Sequence, residues 1–454
     1  MGKSVKGMVR HFACTVAIAA VLAGWGVLRA RSAQAAPLVF SEDSYRRLVD
    51  ASSSRTIAPG TRITVENWRQ YRDFMPIWLQ GAFNGNSGVH LGSGPEYAIV
   101  VGPTLHYPMP GRWRQDAEKY GSQSTLIRQP NGGYVMKGWV AGPPFPNPSG
   151  PNKAVEILYN AWAPFRPFIL HSSSQGMLVD RFGNRTTQDT NNCFYMLSHL
   201  SEPGMPINMP YANGFFYVSR FMVVAPEQSK YTTELSMQPD DPTRLPELYV
   251  FLPSLRRSLR LSSAARCSPI LGTDSVNDDN AWNPNNFKVE LLGEKKLLMP
   301  MLDPARAHEA SSFVGFTGSD PGTFPGWPRP EVTHWQVRPF YVLHLQWIAQ
   351  LGPYCFAHRI FYVDKETWIP PFTENWDNEN KLWKGLWEIY SPIDFHGVKT
   401  IMLDGYAGAH QIDWENGHIS ASFAGLPTTD DDVPADYKDA QTMTTPGGLS
   451  RILR

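Results

Sequence analysis

The chain has 454 residues, enough for a large core in one to three domains. Its 41 basic and 41 acidic residues cancel, so nothing global points to nucleic acid or an anionic membrane as partner. Charged residues are only 18% and aromatics 12%, alongside 39 Pro and 37 Gly, a mixture that predicts short strands joined by tight turns.

At the start, Lys3, Lys6 and Arg10 precede the apolar run FACTVAIAAVLAGWGVL (12–28), and SAQAAP (32–37) offers small residues for cleavage. Residues 1–35 read as a secretory signal peptide. An uncleaved anchor is the alternative, because the run is long and Arg29 and Arg31 follow it. FSEDSYRRLVDA (40–51) predicts a short helix capped by Ser41. In TVENWRQYRDFMPIWLQGAF (64–83), Trp68, Tyr71, Phe74, Met75, Trp78 and Leu79 recur at helical spacing and predict one amphipathic helix, kinked at Pro76. GNSGVHLGSGP (85–95) is a glycine-rich turn without the Lys-Ser/Thr that ends a phosphate loop.

From about residue 97 the apolar period changes to two, and a succession of strands follows. IRQPNGGYV carries the clearest hairpin turn, Asn131-Gly132-Gly133. The elbow WVAGPPFPNPSGPNKAVEILYNAW (139–162), with Pro143, Pro144, Pro146 and Pro148, cannot be a central strand and holds Phe145. AVEILYNAW (154–162) reads as a short helix or as the start of a strand. YVDKETWI and NWDNENKLW read as hairpin turns, and the polar segment 426–454 as an extended tail. The fold class expected is mainly β with a few helices (α+β). A strongly curved antiparallel sheet, an incomplete β-barrel, wraps the amphipathic helix in a single domain over 36–425.

Motifs for chemistry are few. The chain has no G-x-S-x-G elbow, H-E-x-x-H, G-x-G-x-x-G or G-x-x-x-x-G-K-[ST]. Twelve scattered His identify no triad, so catalysis is not expected, and neither is a metal or a cofactor. His334, His344 and His358 read as ordinary strand histidines. Cys193, Cys267 and Cys355 allow one disulfide without saying which pair forms it. The most charged stretch, 252–282, places Arg256, Arg257, Arg260 and Arg266 before Asp274, Asp278 and Asp279. Local pairing at the surface is one reading. A site for an acidic head group or a partner's carboxylates is the other.

The elbow AGPPFPNP…NKAVEILYNAW, the strand YVFLPSLRRSLRLS, GTDSVNDD, LLGEKKLLMPM, HRIFYVDKETWIP with DNENKLW, and DYKDAQTM occur in order. Together they resemble a bacterial domain-of-unknown-function family, number thirteen-twenty-nine, grouped with the Lol-type lipoprotein-carrier superfamily. The sequence departs from that family at Ser258-Leu259 and at Asn285-Asn286. The resemblance implies an exported protein of the Gram-negative periplasm or the periplasmic face of the outer membrane. It also implies an incomplete barrel with an apolar cavity for acyl chains. The partners it implies are a resistance–nodulation–division (RND-type) inner-membrane transporter and an outer-membrane β-barrel protein.

On this reading the cavity and its lid are lined by Trp68, Tyr71, Phe74, Met75, Trp78, Leu79 and Phe145, and hold a lipid or other hydrophobic molecule. At about 0.8 kcal/mol per methylene, a sixteen-carbon chain would gain roughly 13 kcal/mol gross, so a carrier needs no catalytic group. The alternatives are a non-catalytic interaction module of the cell envelope and a hydrolase whose site is assembled from distant residues.

Overall fold

The computed structural model describes residues 38–51, 55–85, 90–262, 266–280, 282–306, 316–317 and 324–453; the expected signal segment lies outside them. Thirteen strands make up most of one large sheet. The first series is β1 (Ile169–Val179), β2 (Arg185–Met196), β3 (Phe215–Ala225), β4 (Thr233–Pro239), β5 (Glu247–Leu252) and β6 (Arg257–Arg260). The second is β7 (Phe287–Leu302), β8 (Thr333–Trp347), β9 (His358–Asp364), β10 (Phe372–Trp376), β11 (Leu382–Tyr390), β12 (Tyr406–Asp413) and β13 (His418–Phe423).

Their spatial order is 6-5-4-3-2-1-13-12-11-10-9-8-7, antiparallel at each of these steps. Every neighbour is also the next strand in sequence, except where β13 returns beside β1. Short turns drive this meander, as the sequence predicts. The β7–β11 end curls until Met301 and Tyr390 meet in a parallel bridge, without closing the sheet into a barrel.

Among the described residues four α-helices of eight or more residues pack on the sheet: α1 (Glu42–Ala51), α2 (Ile77–Asn84), α3 (Gly111–Tyr120) and α4 (Lys153–Trp162). Ser41 caps α1 through its hydroxyl to the Ser44 amide. AVEILYNAW resolves as helix α4, which lies between two wings of the sheet. Its Val155, Ile157, Leu158, Tyr159 and Trp162 share one apolar cluster with Leu170, Phe194 and Phe216 of β1–β3 and with Tyr341, Leu343 and Phe361 of β8–β9.

The opposite face of the curled end is filled by α1 and residues 68–84. Strands β8–β10 are therefore largely buried on both faces, the polar Thr373, Glu374 and Asn375 of β10 included. The hairpin over Asn131-Gly132-Gly133 forms, pairing Thr125–Arg128 with Tyr134–Lys137.

Two expectations differ from the structure. Residues 64–83 do not form one helix. Two 3-10 turns, Trp68–Gln70 and Arg72–Phe74, precede α2. Met75 is extended (φ −124°, ψ 138°), because the ring of the following proline disfavours helical backbone before it. Pro76 thus starts a new helix and does not kink an old one. The C-terminal segment is not an extended tail either. Thr428–Thr429 pairs with β1, and Val433, Tyr437, Ala440, Met443 and Leu449 are buried against the outer face of β1–β5. Its few apolar residues are spaced by short helical turns, so a polar average hid a continuous apolar contact.

Candidate functional site

The residues expected to line a cavity are mostly solid core. Phe74, Met75, Trp78 and Leu79 have no solvent exposure, Trp68 is buried and Tyr71 is half-buried. Trp78 sits 5.3 Å from the Trp387 ring and 6.2 Å from Phe372. The Trp78 amide, free at the start of α2, donates to the buried Glu374 carboxyl of β10 (2.9 Å), which also accepts from the Tyr45 and Tyr362 hydroxyls. Burial pushes Glu374 up to about 7 despite these bonds. The segment is therefore wrapped by the sheet, as expected, but it fills the space. Phe145 is buried on the other side, in the cluster around α4.

Space for a ligand lies on the α4 face, under residues 266–280 and 282–286, a strap between β6 and β7. Cys267 is bonded to Cys355, which ties the strap to the β8–β9 connection; Cys193 is free and buried. The Asp274 amide donates to Ser420 Oγ (2.8 Å), and its carboxyl takes the Ser420 hydroxyl (2.7 Å) and the His418 imidazole (2.5 Å). That last bond raises the His418 pKa. Asp278 and Asp279 both face Arg359 of β9, at 3.2 and 3.0 Å, and Tyr354 donates to Asp278. Further along, Trp282 stands edge-on to Phe361 with centroids 5.2 Å apart.

The charged stretch therefore splits. Arg256, Arg257 and Arg260 stand exposed on the edge strand and its turn, where Arg260 pairs with Glu247 at 3.4 Å. The aspartates turn inward to Arg359 and His418. The strap carries the aspartates across the sheet face, away from Arg256, Arg257 and Arg260, while Arg266 on the strap itself stays within electrostatic reach of Asp278. Arg359, the residue that organises them, was missed: HRIFYVD reads as an ordinary strand.

Two cavities open beneath the strap and meet at Leu386 and Glu388 of β11. The larger, about 100 Å³, is walled by β1, β2, β11, β12 and β13, with Ile270, Leu271, Thr273 and Ser275 of the strap as its roof. The smaller, about 50 Å³, runs toward Trp162 of α4 and the Arg166–Asp404 pair (2.9 Å). Neither is lined by Trp68, Tyr71, Phe74, Met75, Trp78, Leu79 or Phe145; Phe145 instead lines a separate, open cleft of about 430 Å³ between α3, the proline elbow and α4. Glu388 accepts the Tyr390 hydroxyl (2.5 Å), and burial pushes its carboxyl up to about 8, so it is mostly protonated at neutral pH. No hydropathy pattern marks this site, because strap, helix and strands come from distant stretches of chain.

The cluster around His344 is already satisfied. His344 Nε2 lies 2.9 Å from His358 Nδ1, and His358 Nε2 lies 3.0 Å from Asn380 Oδ1; His334 is exposed at the far end of β8. Burial pushes His344 down to about 4. Glu42 and Glu290 come close to His344, but both carboxylates hold Arg46. Ser420, Asp274 and His418 converge in an order that acyl transfer cannot use. The carboxylate binds both hydroxyl and imidazole, so the imidazole does not face the Ser420 oxygen as it does in a Ser-His-Asp triad. Among the described residues no helix is long and apolar enough to cross a membrane.

A family model described as "Protein of unknown function (DUF1329)" matches residues 62–445. The chain belongs to that family. A search of curated proteins finds no match. Among solved structures, this DUF1329 chain is similar to a DUF1329 protein from Desulfovibrio piger, at 12% identity and TM-score 0.44, covering 64% of this chain and 97% of that one. It is similar to a LolA superfamily protein from Nitrosomonas europaea, at 14% identity and TM-score 0.33, over 63% and 93% of the two chains. A domain from Vibrio parahaemolyticus, described as outer-membrane lipoprotein-sorting, gives 12% and 0.44 over 65% and 99%. At such identities and scores the likeness says nothing about ligand or partner.

Proposed function

We propose that this DUF1329 protein is a non-catalytic carrier. It takes a lipid or other hydrophobic molecule into the space between the α4 face of the sheet and the strap. The supporting observation is the roofed cavity itself: a strap held by one disulfide and a few ion pairs lies over a void that the core does not fill. At about 100 Å³ the closed cavity is smaller than the ~300–1,000 Å³ of typical ligand sites, so loading requires the strap to lift. The basic start, the apolar run and the small residues before Pro37 support export, and the carrier works in the cell envelope. There it passes its ligand between an RND-type transporter and an outer-membrane barrel.

The purified full chain, titrated with a fluorescent fatty probe, should bind one equivalent. Binding should strengthen when the strap is released by Cys267→Ser with Cys355→Ser. A chain that binds no probe with the strap tied or released contradicts the proposal.

A further inference from the structure

The face of the sheet that walls the cavity is unexpectedly polar. Cross-strand partners point to the same side of a sheet, so the register assigns one face to the row Ser172–Asn192–Phe221–Glu234 and to the next row, Ser174–Thr190. Polar side chains from these rows and from β11–β13 line the larger cavity, among them Ser174, Thr190, Asn192, Gln411, Ser420 and Glu388. A wall meant only for methylenes would expose carbon alone, because each unpaired polar group facing an alkyl chain costs free energy.

Some of these groups satisfy each other. Ser174 Oγ meets Thr190 Oγ1 at 2.8 Å, and Asn192 Nδ2 donates to Ser174 Oγ at 3.0 Å. The other end of that amide is open: Asn192 is 4% exposed and its Oδ1 has no hydrogen-bond partner. In the smaller cavity Thr373, also 4% exposed, has an unpartnered hydroxyl. The wall therefore offers an acceptor and a hydroxyl to a guest. The cations within reach are already engaged: Arg359 by Asp278 and Asp279, Arg166 by Asp404 and Lys384 by Asp413. An anionic head group would be buried without a counter-charge.

We propose that the polar end of the ligand is uncharged and bears hydroxyls, as in a sugar- or polyol-headed amphiphile, and that it docks on Asn192 and its neighbours with its chain toward Phe221, Ile270 and Leu386. This rests on the carrier reading above and specifies what is carried. A site built to hydrogen-bond a hydroxyl rejects analogues that lack it.

The test compares octyl glucoside and octanoate, which share chain length, by calorimetric titration of the full chain with the strap released, below the micellar concentration. Octyl glucoside should bind at least tenfold more tightly than octanoate. Asn192→Leu should weaken the glucoside about three- to tenfold, the loss of one hydrogen bond, and leave octanoate unchanged. Thr190→Val, nearly isosteric, serves if the first variant does not fold. Equal or tighter binding of octanoate, or a glucoside affinity indifferent to both substitutions, overturns the ligand class while the carrier reading stands. Binding of neither probe overturns both.

Discussion

Arg359 is 1% exposed and faces two carboxylates of the strap. Arg359→Met would leave Asp278 and Asp279 buried without their guanidinium, and urea denaturation should record a loss of about 3–5 kcal/mol. Arg260→Ala, on the exposed edge, should change stability by less than about 1 kcal/mol. Glu388 makes a different prediction. Its folded pKa, about 8, lies above the ordinary carboxyl value near 4.5, so the folded chain keeps a proton that the unfolded chain has lost. Its stabilising contribution is full below about pH 4.5 and is lost as pH rises toward 8. Glu374 and Glu234, each pushed up to about 7 by burial, act in the same direction. The buried His344 and His410 oppose this only below about pH 6.5. Between pH 6.5 and 7.5 melting temperature should therefore fall, and Glu388→Gln should flatten that fall. An unchanged slope in the variant would mean that Glu388 is ionised in the folded state.

At the scale of elements, much was legible. Helix α1, the strands of the meander and the Asn131-Gly132-Gly133 hairpin follow from apolar period and turn residues. The 64–83 stripe was real, and every residue of it but Tyr71 is buried. What periodicity cannot register is the backbone restriction before Pro76, which broke one expected helix into turns and α2. The C-terminal segment failed differently: Tyr437, Met443 and Leu449 bury themselves in a stretch whose average is polar. The strap was invisible as an element because long-range bonds, not local propensity, fix its course. Its clasp closes over 88 residues of chain. The paired Cys267→Ser and Cys355→Ser substitutions should therefore cost about 2–5 kcal/mol and speed probe uptake. Stopped-flow fluorescence reads the rate. An unchanged rate would mean that the ligand enters elsewhere.

For the whole molecule, the curved antiparallel architecture was legible, but the position of the free space was not. The aromatic-rich segment suggested a greasy interior around itself. In the structure the sheet packs that segment solid on one side and leaves the cavity on the other, between α4 and the strap. Its lining comes from Ser174, Asn192, Ile270, Leu386 and Ser420, residues unremarkable in their own stretches and brought together by strand order alone. The carrier account stands on that cavity. The direct measurement is native mass spectrometry of the full chain purified from its own envelope, with Leu386→Trp alongside to fill the point where the two cavities meet. The account predicts one amphiphile per chain in the unaltered protein and none in the variant. A chain that is repeatedly empty, or an adduct that persists in Leu386→Trp, would contradict it.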